Sequence, residues 1–231
     1  MAKEPDSEGS DMIEQHLQAA RELITETALW AGGRPHRINE VEVYHNSEEH
    51  PDPFCHRNEL QSTWHRWCFH RQGTNYRGGS FKGLDLTFGQ PGSFCGVLIR
   101  TLELWDGSPI EGPSLVVDFL LRMTRFPHVR DLDAAIGKRT GWDDTSPIHL
   151  KKIKPREQPI FTSARVGLSS KHTDEYRHRP YRLFVLPNRM RKGRPLIVQQ
   201  MILEGRTDDE IHRLTGMRLN DVRRHRESAL S

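Results

Sequence analysis

Apolar residues in the first part of the chain follow two different periods. Near the N-terminus they recur at helical spacing, which predicts an amphipathic helix over residues 11–30 that ends at Gly32-Gly33. The apolar face of this helix comprises Ile13, Leu17, Ala20, Ile24 and Ala28. Residues 37–44 (RINEVEVY) alternate instead between apolar and polar positions, which predicts a half-buried strand.

The middle of the chain reads as a succession of strands with two short helices. Strands are predicted at residues 63–70, 84–88, 93–103, 164–168 and 181–186. The helices are predicted at residues 115–122 and 132–138, and residues 45–62 and 73–83 are predicted loops. Because the strands follow one another without regular crossover helices, we expect an α+β fold with a mainly antiparallel sheet and flanking helices.

The last forty or so residues differ in kind. An apolar helix over residues 196–203 is followed by Thr207 and Glu210, which fit a capping box at the start of a helix over residues 208–215. A turn at Gly216 precedes a third helix, from about Asp221, that carries Arg223 and Arg224. This outline is typical of a helix-turn-helix, so both arginines are candidate DNA contacts. A helical tail packed on the main body is the alternative.

Composition excludes several classes of protein. The 231 residues carry a net charge of +3, with 28% charged and 35% hydrophobic residues, as in soluble globular proteins. No apolar run approaches the roughly 18 residues that span a bilayer, and the acidic N-terminus resembles neither a secretory signal nor a transit peptide. Three cysteines (Cys55, Cys68 and Cys95) without CxxC spacing argue against a disulfide framework. We therefore expect an intracellular protein, in the cytoplasm, nucleoid or nucleus, with no membrane partner.

Charge is distributed unevenly along the chain. Residues 1–30 have a net charge of −5, whereas residues 149–194 carry thirteen Lys and Arg against three acids, a net +10. A basic surface that neutralises phosphates is favourable for nucleic-acid binding. Basic residues that merely solvate loops are an equally good interpretation of the charge alone.

The strand EVEVY carries two carboxylates and an aromatic residue on one face. For Glu40 we expect the solvated side of an edge strand. Glu42 has a candidate partner in Arg100, which lies among apolar residues of the strand GVLIRTLE and needs a carboxylate or phosphate if it is buried. On spacing alone, a structural ion pair is the better interpretation of Glu42 and Arg100.

Four motifs nevertheless resemble one enzyme family. EVEVY (40–44), GVLIRTLE (96–103), GPSLVVDFLL (112–121) and ARVGL…RPYRLFV (164–185) are similar, in order and approximate spacing, to ETEAY, VLLRALEP, GPSKLCQAL and ARVGV…KPLRFY of the alkyladenine (3-methyladenine) DNA glycosylases. The resemblance implies a glycosylase-like domain over residues 1–187 and a basic helical extension over residues 188–231.

The resemblance also implies roles for individual residues. Glu42 would be the general base that activates water and stabilises an oxocarbenium-like sugar, and Arg100 would hold the water and a nearby phosphate. Tyr44 resembles the aromatic residue that stacks on the flipped base. His56 resembles a histidine that contacts base and backbone, with His50 as the alternative.

The stretch after GTNY (73–76) departs from the family pattern. The match places Phe81 at the position of an intercalating tyrosine, although a core role is the alternative, and it places Gly78 where the family has a second stacking aromatic. Losing that ring would open the pocket, and Arg77 and Lys82 would add donors. We therefore expect a modified base bulkier than 3-methyladenine, in damaged or invading DNA, so that the role is repair or antiviral defence.

The expected activity is base excision by a monofunctional hydrolase that leaves an abasic site, because no lysine stands beside Glu42 in the sequence. We expect double-stranded DNA as the partner of a monomeric enzyme, with no cofactor and no metal. A zinc site is a weaker alternative, with candidate ligands Cys55, His56, His65, Cys68 and His70. A non-catalytic DNA-binding regulator on a glycosylase body is the main alternative function, and an RNA-binding module lacks the expected aromatic signature.

Overall fold

The computed structural model describes residues 7–172 and 174–230, and it has an α+β fold with a mostly antiparallel sheet, as expected. Its helices are α1 (Ser7–Thr25), α2 (Pro113–Thr124), α3 (Val129–Ile136), α4 (Asp174–Arg177), α5 (Arg194–Leu203), α6 (Asp208–Thr215) and α7 (Leu219–Leu230). Its strands are β1 (Thr27–Ala31), β2 (Arg34–Asn46), β3 (Trp64–Phe69), β4 (Arg71–Gln72), β5 (Asn75–Tyr76), β6 (Leu84–Phe88), β7 (Phe94–Glu103), β8 (Pro109–Glu111), β9 (Ile148–Lys152), β10 (Phe161–Ser163) and β11 (Arg182–Phe184).

Contacts divide the chain into two compact units, with the boundary between Glu157 and Gln158. The expected domain boundary at residues 187/188 stays a prediction, because compactness does not show which segment folds by itself. None of the helices in the described part of the chain combines the length and apolarity needed to cross a bilayer.

The N-terminal unit is built on one antiparallel sheet. Strand β2 is flanked by β1 on one side and β7 on the other, β7 pairs in turn with β6, and β6 pairs with β3. Strand β9 extends the sheet beyond β1, and β8 pairs with the end of β7. Every residue of 38–43 is buried, so both faces of this part of β2 are covered by other parts of the protein.

The two faces of β2 and β7 carry different chemistry. Val43 pairs with Val97 and Val41 with Ile99, which places these apolar side chains on one face. Glu42 pairs with Leu98 and Tyr44 with Gly96, so Glu42 and Tyr44 point to the other face. The chain therefore builds a polar cluster on one side of a sheet whose other side is hydrophobic.

Two predicted elements were wrong. The N-terminal helix ends at Thr25 rather than at residue 30, because Thr27–Ala31 pairs with both β2 and β9. This pairing overrides the helical spacing that had placed Ala28 on the helix. Residues 164–168 form a turn rather than a strand, and the strand of this region is Phe161–Ser163, which pairs with Arg182–Phe184.

The C-terminal unit has its own hydrophobic core. Helices α5, α6 and α7 share it with β10 and β11. Its buried members include Phe161, Phe184, Ile197, Met201, Ile211 and Val222. The predicted capping box is confirmed, since the Thr207 side chain accepts from the backbone N–H of Glu210 and the Glu210 carboxylate accepts from Thr207. Gly216 ends α6 in the left-handed conformation, with φ of 67°.

Candidate active site

Glu42, Tyr44 and Arg100 meet on the polar face of β2 and β7. The Tyr44 hydroxyl donates to Glu42 Oε2 at 2.7 Å, and Arg100 Nη1 donates to the same oxygen at 3.2 Å. Glu42 has no exposed surface and Arg100 is 5% exposed, whereas Tyr44 is half-buried. Three residues predicted to share a site are thus in direct contact, and Tyr44 is the most accessible of them.

Glu40 belongs to the same cluster, so the expectation that it is solvated was wrong. Arg100 Nε donates to Glu40 Oε1 at 3.0 Å, and the Thr101 hydroxyl bonds Glu40 Oε2. Burial disfavours the charged form of Arg100, but the carboxylates of Glu42 and Glu40 outweigh it and raise the pKa of Arg100 above its usual value. Arg100 is therefore a permanent cation held between two carboxylates.

A local irregularity of the sheet accounts for the position of Arg100. Glu40 pairs with Thr101 and Val41 with Ile99, so Arg100 is an extra residue between two paired positions of β7. A second register shift lies at Asn39, between Ile38 and Glu40. Such bulges re-aim side chains locally, and here they bring a guanidinium against two carboxylates of the neighbouring strand.

Asp85 is the centre of a second polar cluster on this face, which no sequence motif had indicated. Asp85 pairs with Leu98, which in turn pairs with Glu42, so all three residues lie on one side of the sheet. The Asp85 carboxylate accepts from Gln61 Nε2 at 2.9 Å and contacts His70 Nε2 at 2.9 Å. Nothing in the LDLTF pattern distinguishes this aspartate from an ordinary polar strand residue, because its partners are distant in sequence.

His56 lies beside the Asp85 cluster, next to His70. The ring centroids of His56 and His70 are 4.9 Å apart in an edge-to-face arrangement. Both rings line a cavity of about 780 Å³ whose wall also includes Gln61 and Asp85. Burial lowers the pKa of His56, and the nearby His70 lowers it further. His50 is buried elsewhere, with its ring centroid 5.1 Å from that of His45.

The segment 71–82 contains Phe81, the residue predicted to intercalate into DNA. Phe81 is 69% exposed at the end of a single 3₁₀ turn, which excludes the alternative core role. Gly78, Arg77 and Lys82 line a neighbouring cavity of about 700 Å³. A Cβ atom at Gly78 would meet no atom within 4 Å, so space is open where a side chain is absent.

Arg223 and Arg224 lie on α7 in the C-terminal unit, with 61% and 75% of their side-chain surface exposed. Arg223 is 3.8 Å from Asp208, and Arg224 pairs with Asp221. Part of the positive charge of the segment 149–194 is not exposed for contact with DNA, because Arg165 and Arg182 are buried in this unit. Arg165 donates to the Tyr176 carbonyl at 3.0 Å, and Arg182 donates to the Lys192 carbonyl at 3.0 Å.

The five residues weighed as zinc ligands do not converge on one point within the described residues, although His56 and His70 are neighbours. All three cysteines are free, buried thiols. The one group of His, Cys or acidic side chains that converges in the described residues is His16, His45 and Cys95, which no sequence motif had indicated.

Fold and geometry together define a class: an α+β protein whose antiparallel sheet holds a buried carboxylate–guanidinium cluster on one face. No protein-family model matches the chain. The chain is 30% identical over 200 residues to "Uncharacterized protein L759" of Acanthamoeba polyphaga mimivirus. The match covers 79% of this chain and 92% of that protein. The chain belongs to the same family as L759.

Proposed function

We propose that the protein is a monofunctional DNA glycosylase that hydrolyses the N-glycosidic bond of a flipped nucleotide. The observation that carries the proposal is the Glu42 carboxylate, oriented by the Arg100 guanidinium and the Tyr44 hydroxyl. A carboxylate fixed in this way can stabilise an oxocarbenium-like sugar and remove a proton from the attacking water. The four collinear motifs shared with alkyladenine DNA glycosylases support the same assignment.

Access to the carboxylate defines the role of Tyr44. Because Glu42 has no exposed surface, the incoming nucleotide has to displace the Tyr44 hydroxyl from Glu42 Oε2. The half-buried Tyr44 ring then stacks on the extruded base while Arg100 keeps the carboxylate in place. Water takes the hydrogen-bonding position that the tyrosine hydroxyl leaves.

The proposed substrate is a modified base bulkier than 3-methyladenine in double-stranded DNA. Open space at Gly78 and the 700 Å³ cavity beside it support a larger ligand, and Arg77 and Lys82 at its wall supply donors. Phe81 is proposed as the wedge that fills the gap left by the flipped nucleotide. We further propose that α7 contacts the duplex through Arg223 and Arg224, and that the enzyme acts inside the cell as a monomer.

The test is release of free base from a panel of natural, alkylated, deaminated and hypermodified duplexes, measured by chromatography. Wild-type protein is expected to release at least one bulky modified base and leave an abasic site. Glu42→Gln keeps the shape of the side chain and is expected to lower the single-turnover rate by about 10²–10⁴-fold while DNA binding persists. Glu157→Gln, at an exposed position, is the matched control.

Two results would overturn the proposal. Release of no base from any duplex by wild-type protein that binds DNA would instead favour the DNA-binding regulator. Equal rates for wild-type protein and Glu42→Gln would remove Glu42 from the chemistry. Preferential release of 3-methyladenine would contradict the proposed substrate class alone.

A further inference from the structure

Three residues with metal-ligand chemistry meet at the hydrophobic face of the sheet, two from strands and one from a helix. His45 and Cys95 are register partners on β2 and β7, so their side chains project side by side. They share the face of Val43 and Val97, opposite to Glu42 and Tyr44. The third residue, His16, comes from α1.

These three side chains converge. One ligand atom from each residue lies within 4.8 Å of the others, and all three residues are buried. The rings of His16 and His45 have centroids 4.8 Å apart. Two imidazoles and a thiol are the donor types that Zn²⁺ prefers in proteins.

The hydrogen bonds of the two histidines leave ring nitrogens that can bind a metal. His16 Nε2 lies 3.1 Å from the Phe88 carbonyl and donates to it, which leaves the lone pair on Nδ1. His16 Nδ1 and both ring nitrogens of His45 are buried without a hydrogen bond of standard geometry to the described residues, although a contact with the Phe94 backbone raises the pKa of His45. A histidine that gives one N–H to a backbone carbonyl and keeps the other nitrogen bare is the usual arrangement of a metal ligand.

We propose that His16, His45 and Cys95 form a structural zinc site between α1 and the sheet. The site is separate from the proposed catalytic cluster and does not depend on the proposed function. Tetrahedral ligation needs donor atoms about 3.5 Å apart, so the three side chains have to close by about 1 Å. The fourth ligand is a water molecule or His50, whose ring centroid is 5.1 Å from that of His45.

The neutral histidines are suited to metal binding, whereas the Cys95 thiol has to lose its proton against the effect of burial. Burial lowers the pKa of His16 to about 4, and it also lowers the pKa of His45, so both imidazoles are neutral near pH 7 and can donate a lone pair. Burial raises the pKa of the Cys95 thiol well above its usual range. Binding therefore exchanges the thiol proton for the metal: Cys–SH and Zn²⁺ give Cys–S–Zn⁺ and a released proton, with no change of oxidation state.

The experiment measures metal content and cobalt spectra of the full-length protein. Wild-type protein is expected to contain stoichiometric zinc, and Co²⁺ replacement is expected to give thiolate-to-cobalt charge-transfer absorption and tetrahedral d–d bands. Cys95→Ser and His16→Asn are expected to lose at least about 90% of the zinc, because even the hydrogen-bond partners of metal ligands are worth about 10–100-fold in metal affinity. Cys68→Ser changes another buried thiol outside the cluster and is expected to keep both zinc and spectrum.

A second measurement does not depend on variants that might misfold. Chelation of the metal is expected to lower the melting temperature of wild-type protein, and added Zn²⁺ to restore it. The proposal is overturned if purified wild-type protein takes up neither Zn²⁺ nor Co²⁺, or if Cys95→Ser retains the charge-transfer band. A visible thiolate-to-copper band in protein as isolated would overturn the zinc assignment.

Discussion

At the scale of single residues, the most unusual feature is a guanidinium between two carboxylates in the middle of a sheet. Arg100 bonds Glu40 and Glu42 while all three side chains are almost completely buried. Taking such charges out of water carries a large desolvation penalty, and replacing buried ion pairs with apolar residues often stabilises a protein. A cluster of this kind contributes more to the orientation of its members than to stability, which agrees with a role in positioning Glu42.

Gly96 is required by the packing of Asp85 and Gln61. A Cβ atom at Gly96 would lie 2.6 Å from Asp85 Oδ2 and 2.6 Å from Gln61 Nε2, the two atoms that bond each other. We expect Gly96→Ala to lower the free energy of unfolding by about 1–3 kcal/mol, as overpacking does. Urea denaturation measures this change. Gly78→Ala, where the added atom meets nothing and φ is −104°, is expected to unfold like wild type; equal stability of both variants would contradict the prediction.

His70 should make stability depend on pH. Burial lowers the pKa of His70, but the charge of Asp85 and its hydrogen bond outweigh burial and raise the pKa above the ordinary 6.5. His56 contacts this ring, and the charges of Arg77 and Glu42 also act on it, Arg77 lowering and Glu42 raising the pKa. Because the folded state holds the proton more tightly, this stabilisation is fully present below about pH 6.5 and is lost as pH rises through the raised pKa.

Asp85→Asn provides the comparison for that prediction. Without the Asp85 carboxylate, burial and the charge of Arg77 are expected to outweigh Glu42 and to lower the pKa of His70. The difference in unfolding free energy between wild type and Asp85→Asn should therefore grow as pH falls from about 8 to about 6. Denaturant titrations across this range measure the difference, and parallel pH profiles would show that Asp85 does not control the protonation of His70.

At the scale of elements, the segment 71–82 is anchored to two helices at three positions while Phe81 stays exposed. Arg71 and Tyr76 both bond Asp133 of α3, at 2.9 and 2.6 Å, and Lys82 pairs with Asp118 of α2. We expect Phe81→Ala to weaken binding to modified duplex by about 5- to 100-fold, the range of one lost stacking contact, without changing stability.

Fluorescence anisotropy and thermal melting test the Phe81 prediction. Trp105→Ala removes another exposed aromatic side chain, in the turn between β7 and β8, and is expected to bind like wild type. If Phe81→Ala and Trp105→Ala lose the same affinity for DNA, Phe81 contributes only nonspecific apolar contact and is not the intercalating residue.

The elements with clear local signals were predictable from the sequence. The strand Leu84–Phe88 and the helix Asp208–Thr215 have the predicted bounds, because turn residues delimit the first and a capping box and Gly216 delimit the second. The helix over 11–30 was too long because the pairing of Thr27–Ala31 with distant strands leaves no local trace.

The site was predictable only in part. Glu42 and Arg100 were paired correctly, because a buried arginine needs a carboxylate. Glu40 was misplaced because two register shifts, at Asn39 and Arg100, decide what it faces. The contact of Asp85 with Gln61 and His70 depends on three separate segments that meet only in the folded chain.

At the scale of the whole molecule, charge should govern DNA binding. A duplex contact made by Arg223 and Arg224 releases counterions, so replacing both with Ala should reduce the slope of log K against log salt concentration by about 0.9 for each lost phosphate contact. Folding should be unaffected, because both side chains are largely exposed.

Binding titrations at several salt concentrations measure this slope. Lys138→Ala removes one exposed charge from the end of α3 and serves as the control. An unchanged slope in the double variant would exclude α7 from the duplex interface.

The two partner strands of the central cluster leave the ribosome at different times. Residues 47–93 separate β2 from β7, so Glu40 and Glu42 are synthesised well before Arg100. Until β7 emerges, both carboxylates lack the Arg100 guanidinium, and burying β2 in the nascent sheet would bury two anions without that cation. Co-translational closure of this sheet is therefore tied to the arrival of one arginine, and a pause in translation before it would prolong an open, chaperone-accessible intermediate.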